Sequence, residues 1–187
     1  HALVGTQNLH INLRGHLGRA WKVFKMWTSS TPSASRVPCP EIVVKGMFVT
    51  GFAWGLDNFN SAHLFIPGVI MLATAFYGML RPGKMLNVRA RDLAFTLADN
   101  AWVCVIAIVR PKNRLFMGRN QFAAIRVPWI VEYLKWLKQG MQGWETLWPS
   151  SRMALVKLLG ALLETLGLLS SGITLGSFRP GGTTHYF

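Results

Sequence analysis

Acidic residues and cysteines are both scarce in this chain: seven of the first and two of the second. Two cysteines, Cys39 and Cys104, exclude a disulfide framework and a Cys-rich zinc site. They read as buried thiols in a reducing compartment. The seven carboxylates lie scattered, with no pair spaced for acid–base work and no cluster to hold Mg²⁺. That argues against two-metal nuclease or polymerase chemistry. His1, His10, His16, His63 and His185 are equally dispersed and read as surface or packing residues rather than metal ligands. The phosphate-cradling GxxxxGKS/T loop is missing, as are HExxH, GxSxG and CxxC. Nor is there a long apolar run. Phe65 to Leu80 is interrupted by Pro67-Gly68, closed by Arg81-Pro82, and falls short of the roughly 20 residues that span a bilayer. It reads as a buried core helix, and no membrane partner is expected. The stretch from His1 to Arg14 has no signal-peptide order of charge, apolar run and cleavage site.

What the chain does have is apolar mass and positive charge. Hydrophobic residues make up 51% of 187 positions and charged ones only 14%, enough for a packed core and against disorder. Twenty Lys and Arg against seven Asp and Glu give a net charge of +13. A fold this basic calls for an anionic partner, nucleic acid or an anionic membrane surface.

Along the chain, residues 14–28 read as a helix with Leu17, Ala20, Trp21, Phe24 and Trp27 at helical spacing. Arg19, Lys22 and Lys25 fall largely on its other surface, either as a solvated basic face or as phosphate contacts. Thr28 to Pro40, rich in proline and serine, is a linker or long loop and the candidate domain boundary. Arg36 within it either lies along a nucleic-acid backbone or is simply an exposed linker arginine. Helices are expected from Glu41 to about Leu56, with Gly46, Thr50 or Gly51, and Gly55 permitting close packing, and from Pro67 to Leu80, apolar on every side. Lys84 to Asp92 reads as a short helix or turn. Trp102 to Val109 and Gln121 to Val127 read as a β-hairpin whose long connection carries Lys112, Arg114 and Arg119. Pro128 opens a helix reaching Gln139, and Ser150 or Ser151 caps a leucine-striped helix stopped by Gly167. The class is mainly α with a small inserted β-hairpin, an α+β arrangement.

Two arginines stand out by their setting. Arg81 follows the apolar helix in GMLRPGKMLNVRARDL, and Arg179 lies in SFRPGGTT. A guanidinium beside apolar structure is costly unless an anion, a helix C-terminus or a carboxylate meets it. The first phrase resembles the first arginine box of tyrosine recombinases of the phage-integrase type, in which a glycine-led arginine follows a buried helix and an aspartate, here Asp92, closes the box. The second resembles their second arginine box in the form seen in divergent eukaryotic mobile elements. Their order, with a β-hairpin and two helices between, matches as well, and the resemblance covers about residues 41–187.

The resemblance implies a DNA breaking–rejoining catalytic core at 41–187, a linker at 31–40, and at 1–30 a remnant of the DNA-clamping helical domain. It implies double-stranded DNA as partner, self-assembly on DNA in the full-length protein, no cofactor or metal, and a nuclear or nucleoid location. Arg81 and Arg179 match the two arginines that stabilise a phosphorane's extra charge by bidentate hydrogen bonds. Lys112 matches the hairpin lysine that protonates the leaving oxygen, although an ordinary solvated turn lysine reads as well. Arg19, Lys22, Lys25, Arg36, Arg114 and Arg119 are the expected DNA contacts. The pattern departs at Lys84, where the family carries an acid, and at Gly176, where it carries a histidine. The chain starts at His1, and Tyr186 lies too close to Arg179 to be the family's nucleophile. The expectation is therefore a truncated domain that binds DNA without cleaving it, or a non-catalytic basic DNA-binding module. A membrane-associated protein is the remaining alternative.

Overall fold

The most apolar stretch of the sequence becomes the central helix of the fold. The computed structural model describes residues 36–58, 60–108 and 121–186. Helices α1 (Glu41–Asp57) and α2 (Ala62–Tyr77) pack against one another, and α2 is buried without a break from Gly68 to Tyr77. A helix apolar on all sides must be enclosed by its neighbours. The expected start at Pro67 is corrected, because the helix begins at Ala62 and keeps Pro67 inside it. The proline removes one backbone donor near the helix start, a local cost that the burial of the next ten residues outweighs. The small residues of α1 do admit α2 closely. A Cβ on Gly51 would overlap Val69, and one on Gly55 would meet Ile66 Cγ1 at 2.7 Å.

Beyond α2 the chain turns through Met79, which has φ 49°, and Leu80 N–H donates to the Ala75 carbonyl. A four-residue helix α3 (Pro82–Met85) and a 3-10 turn at Ala90–Asp92 follow. The Asp92 carboxylate accepts the Arg89 N–H at 2.9 Å and so closes that turn.

An antiparallel sheet then runs in the order β1 (Leu93–Ala98), β2 (Ala101–Ile108), β3 (Gln121–Ile125). The hairpin of the sequence reading is β2–β3, and β1 is an addition to it. The β1–β2 connection is only Asp99 and Asn100, with φ 50° and 60°. Those are residue types that tolerate the left-handed region a two-residue hairpin turn demands. In register, Phe95 faces Cys104, Cys104 faces Ile125, and Ile106 faces Ala123.

Helix α4 (Pro128–Gln139) packs on β2, burying Ile130, Val131 and Leu134, while Lys138 Nζ donates to the Leu93 carbonyl at 2.7 Å. Helix α5 (Arg152–Thr165) buries Leu155, Leu158, Leu159, Leu162 and Leu163. Its cap is Ser151, whose Oγ accepts the Ala154 N–H at 3.1 Å. Gly167, at φ 69°, follows its end. The last helix, α6 (Phe178–Tyr186), leads from a 3-10 turn at Leu175–Ser177 and lies against α2. The described residues form an α+β fold, mainly helical with a small three-stranded antiparallel sheet. Among the described residues no helix is long and apolar enough to cross a membrane.

Candidate functional site

Arg81 stands at the exit of the central helix, in extended backbone with φ −72° and ψ 144°, and Pro82 fixes the next turn. Its carbonyl accepts the N–H groups of Lys84 and Met85, so its backbone caps α3 while its side chain stays exposed. Arg179 is the second residue of α6 and is also exposed. A cation at a helix N-terminus opposes the helix dipole and gains nothing locally.

Two glycines bring these arginines together. A Cβ on Gly182 would overlap the carbonyl oxygen of Phe76 in α2, and one on Gly181 would overlap the carbonyl oxygen of Cys39. Only bare backbone lets α6 lie this close to both segments. Cys39 is fully buried, and its N–H donates to the Ser177 carbonyl at 3.1 Å. The chain around Pro38 is thereby pinned beside α6, and Arg36 arrives at the same place.

Arg36, Arg81 and Arg179 line one open cavity of about 610 Å³, together with Gly176, Thr183 and Thr184. Among its described lining residues none is acidic. Among the described residues none of the three guanidiniums is in an ion pair; those present join Lys45 and His185 to Glu41, Arg126 to Asp99, and Lys135 to Glu132. Planar guanidiniums are the side chains that offer bidentate hydrogen bonds to an oxyanion such as phosphate. Lys84, where the resemblance expects an acid, is half-buried and is not among the described lining residues.

Of the other residues singled out by sequence, Lys112, Arg114 and Arg119 lie outside the described residues, as do Arg19, Lys22 and Lys25 and the helix expected at 14–28. The sequence reading missed Thr183 and Thr184, although both follow directly on the second arginine phrase. It also missed Arg152, the first residue of α5, which lines an adjoining cavity with Arg36.

The three tyrosines are engaged elsewhere. Tyr77 is fully buried and donates to Glu41 Oε1 at 2.8 Å; burial first, then that bond and the carboxylate charge, push its phenol up. Tyr133 packs among Phe48, Phe52 and Trp129. Burial and then the Glu41 charge raise the Tyr186 phenol as well, which makes it a poorer nucleophile. None of the three lines the arginine cavity.

Glu41 links α1 to α6 through His185 Nδ1 at 3.7 Å. Burial pulls its carboxyl up, but the hydrogen bonds from Tyr77 and Lys45 and the charges of His185 and Lys45 outweigh this and hold it below its ordinary 4.5. A depressed folded-state pKa gives stability that is present above the unfolded value and is lost as pH falls through the folded one. Glu41→Gln is accordingly expected to flatten the loss of stability below pH 4.5. An acid limb identical to the wild type in denaturant titrations would contradict this.

Burial pushes both thiols up to about 12, with the Lys138 charge acting weakly the other way on Cys104. Thiols held protonated and enclosed are inert. Folded protein should therefore leave Cys39 and Cys104 unmodified by iodoacetamide at neutral pH, and unfolded protein should lose both. Rapid labelling of the folded chain would show the burial to be wrong.

Compared with known protein families, curated proteins and solved structures, the chain gives no match. Among the described residues no group of three or more His, Cys, Asp or Glu could hold a metal.

Proposed function

We propose that this chain is a DNA-binding domain of the tyrosine-recombinase kind, in which Arg81 and Arg179 hold one backbone phosphate, and that it does not itself cleave the strand. The observation that carries the reading is the shared cavity. Two arginines far apart in sequence, each in a phrase resembling a recombinase box, line the same opening, where no described lining residue is acidic. The elements between them, a three-stranded sheet and two helices, support the same reading.

The chemistry follows from the groups present. Bidentate guanidiniums on the non-bridging oxygens would stabilise a phosphate's charge in the ground state and more strongly in a phosphorane. Proton transfer and nucleophilic attack need other groups. The position of the family's second-box histidine is Gly176, that of its acid is Lys84, and no tyrosine lines the cavity. These departures favour holding a phosphate over transferring it.

The test is the binding of duplex DNA followed by fluorescence anisotropy across a salt series. Affinity should fall steeply as salt rises, because each neutralised phosphate releases counterions. Salt-indifferent affinity would overturn the reading. A suicide substrate incubated with the chain should give no covalent adduct on a denaturing gel, and an adduct would overturn the statement that the chain does not cleave.

A further inference from the structure

The bareness of Gly176 has a use of its own. A Cβ there would stand 2.8 Å from Arg36 Cζ and 2.9 Å from Arg36 Cδ. The arginine thus lies across the place where the family's histidine side chain would begin. The crowding atoms are the far end of a flexible side chain, so a methyl at 176 would move the guanidinium and not the backbone.

Arg36 is also a shared wall. It lines the cavity of Arg81 and Arg179, and with Gly176 and Pro82 it lines the adjoining cavity of about 420 Å³ that contains Arg152. Among the described residues lining the second cavity none is acidic; most of its wall is aliphatic, with Val156, Leu159, Leu163 and Leu175 beside the two arginines. Arg152 is exposed in the first turn of α5 and, among the described residues, has no ion-pair partner. Four guanidiniums therefore line two adjoining depressions that share Arg36, Pro82 and Gly176, with no acidic side chain among the described lining residues. A single small anion would fill one depression only, whereas a polyanionic strand would use both.

Resting on the reading above, we propose that the two cavities form one groove for consecutive phosphates of a DNA strand, with Arg36 gripping between the seats and Arg152 holding the second. Gly176 keeps the space that Arg36 needs. The residue assigned from sequence to a linker is thus a wall of the binding site.

The experiment uses the full chain and a duplex oligonucleotide of arbitrary sequence, with affinity measured across a salt series for five variants. Arg152→Ala is expected to flatten the logarithmic salt slope by about one, the loss of one phosphate contact. Arg36→Ala is expected to weaken binding about tenfold, in the range for a lost charge-assisted hydrogen bond. Gly176→Ala should reproduce much of that loss with an unchanged melting temperature. The double variant Arg36→Ala/Gly176→Ala should bind like Arg36→Ala alone, since the methyl acts only by displacing the guanidinium. Wild-type binding by Arg36→Ala or an unchanged slope for Arg152→Ala overturns the groove, as does additivity in the double variant. If those results accompany a large loss in the fifth variant, Arg81→Ala/Arg179→Ala, the single-phosphate reading stands without the groove. If that variant binds like the wild type, both readings fall.

Discussion

Replacing Arg81 and Arg179 together with alanine is expected to lower duplex-DNA affinity roughly a hundredfold at low salt. Charge-assisted hydrogen bonds contribute about 1.5–3 kcal/mol each, and every 1.4 kcal/mol is a factor of ten. The lower end of that range applies, because both side chains are exposed and solvent screens them. Fold stability should stay the same, since among the described residues neither arginine has an ion-pair partner to lose. Loss of binding with an unaltered melting temperature separates a site from a structural role. A hundredfold loss accompanied by unfolding would not support the assignment, and unchanged affinity would contradict it.

Gly182→Ala should be strongly destabilising. Its new methyl would overlap the Phe76 carbonyl oxygen and stand 3.1 Å from the Phe76 carbonyl carbon. Those are backbone atoms in the buried stretch of α2, so neither partner can step aside as a side chain would. Overpacking a tight site costs about 1–3 kcal/mol and sometimes more, and a rigid backbone partner places this site at the upper end. In a folded unit of this size that corresponds to a fall of several degrees, roughly 5–10 °C, in the melting temperature. The chemistry suffers with it. Relief comes only by moving α6 away from α2, and α6 carries Arg179 while α2 leads into Arg81. DNA affinity should therefore fall together with stability. A variant with the wild-type melting temperature and wild-type affinity would show that the helices are not in this close contact.

Much of the helical framework was legible because its signals are local. Pro128 at the first position of α4 and Ser151 before α5 each act on their own turn, and the leucine spacing of α5 reports directly which face is buried. The first strand was hidden. Its hairpin signal is Asp99-Asn100, without the glycine that makes such turns conspicuous, and its burial is mixed, with Leu93 buried and Leu97 exposed. The start of α2 was misplaced because Pro67 looks like a boundary, while burial further along carries the helix through it. Helix α6 was not foreseen either, since Pro180 and two glycines argue locally against a helix.

For the site, the setting of Arg81 and Arg179 singled them out, but nothing in a linear sequence shows what converges in space. Arg36 reads as a linker residue because it lies between Pro32 and Pro38 in a serine-rich stretch. Its place is decided by a bond from Cys39 N–H to Ser177 and by the bare backbone of Gly176 and Gly181, all more than a hundred positions later. Sequence supplied the charges, and the close approach of distant backbones supplies the cavity.

The most direct test of the central claim is the structure of this chain bound to a short DNA duplex. A backbone phosphate is expected in the cavity between Arg81 and Arg179, with guanidinium nitrogens on its non-bridging oxygens at hydrogen-bonding distance. A duplex seated on another face of the protein, with that cavity left to solvent, would contradict it.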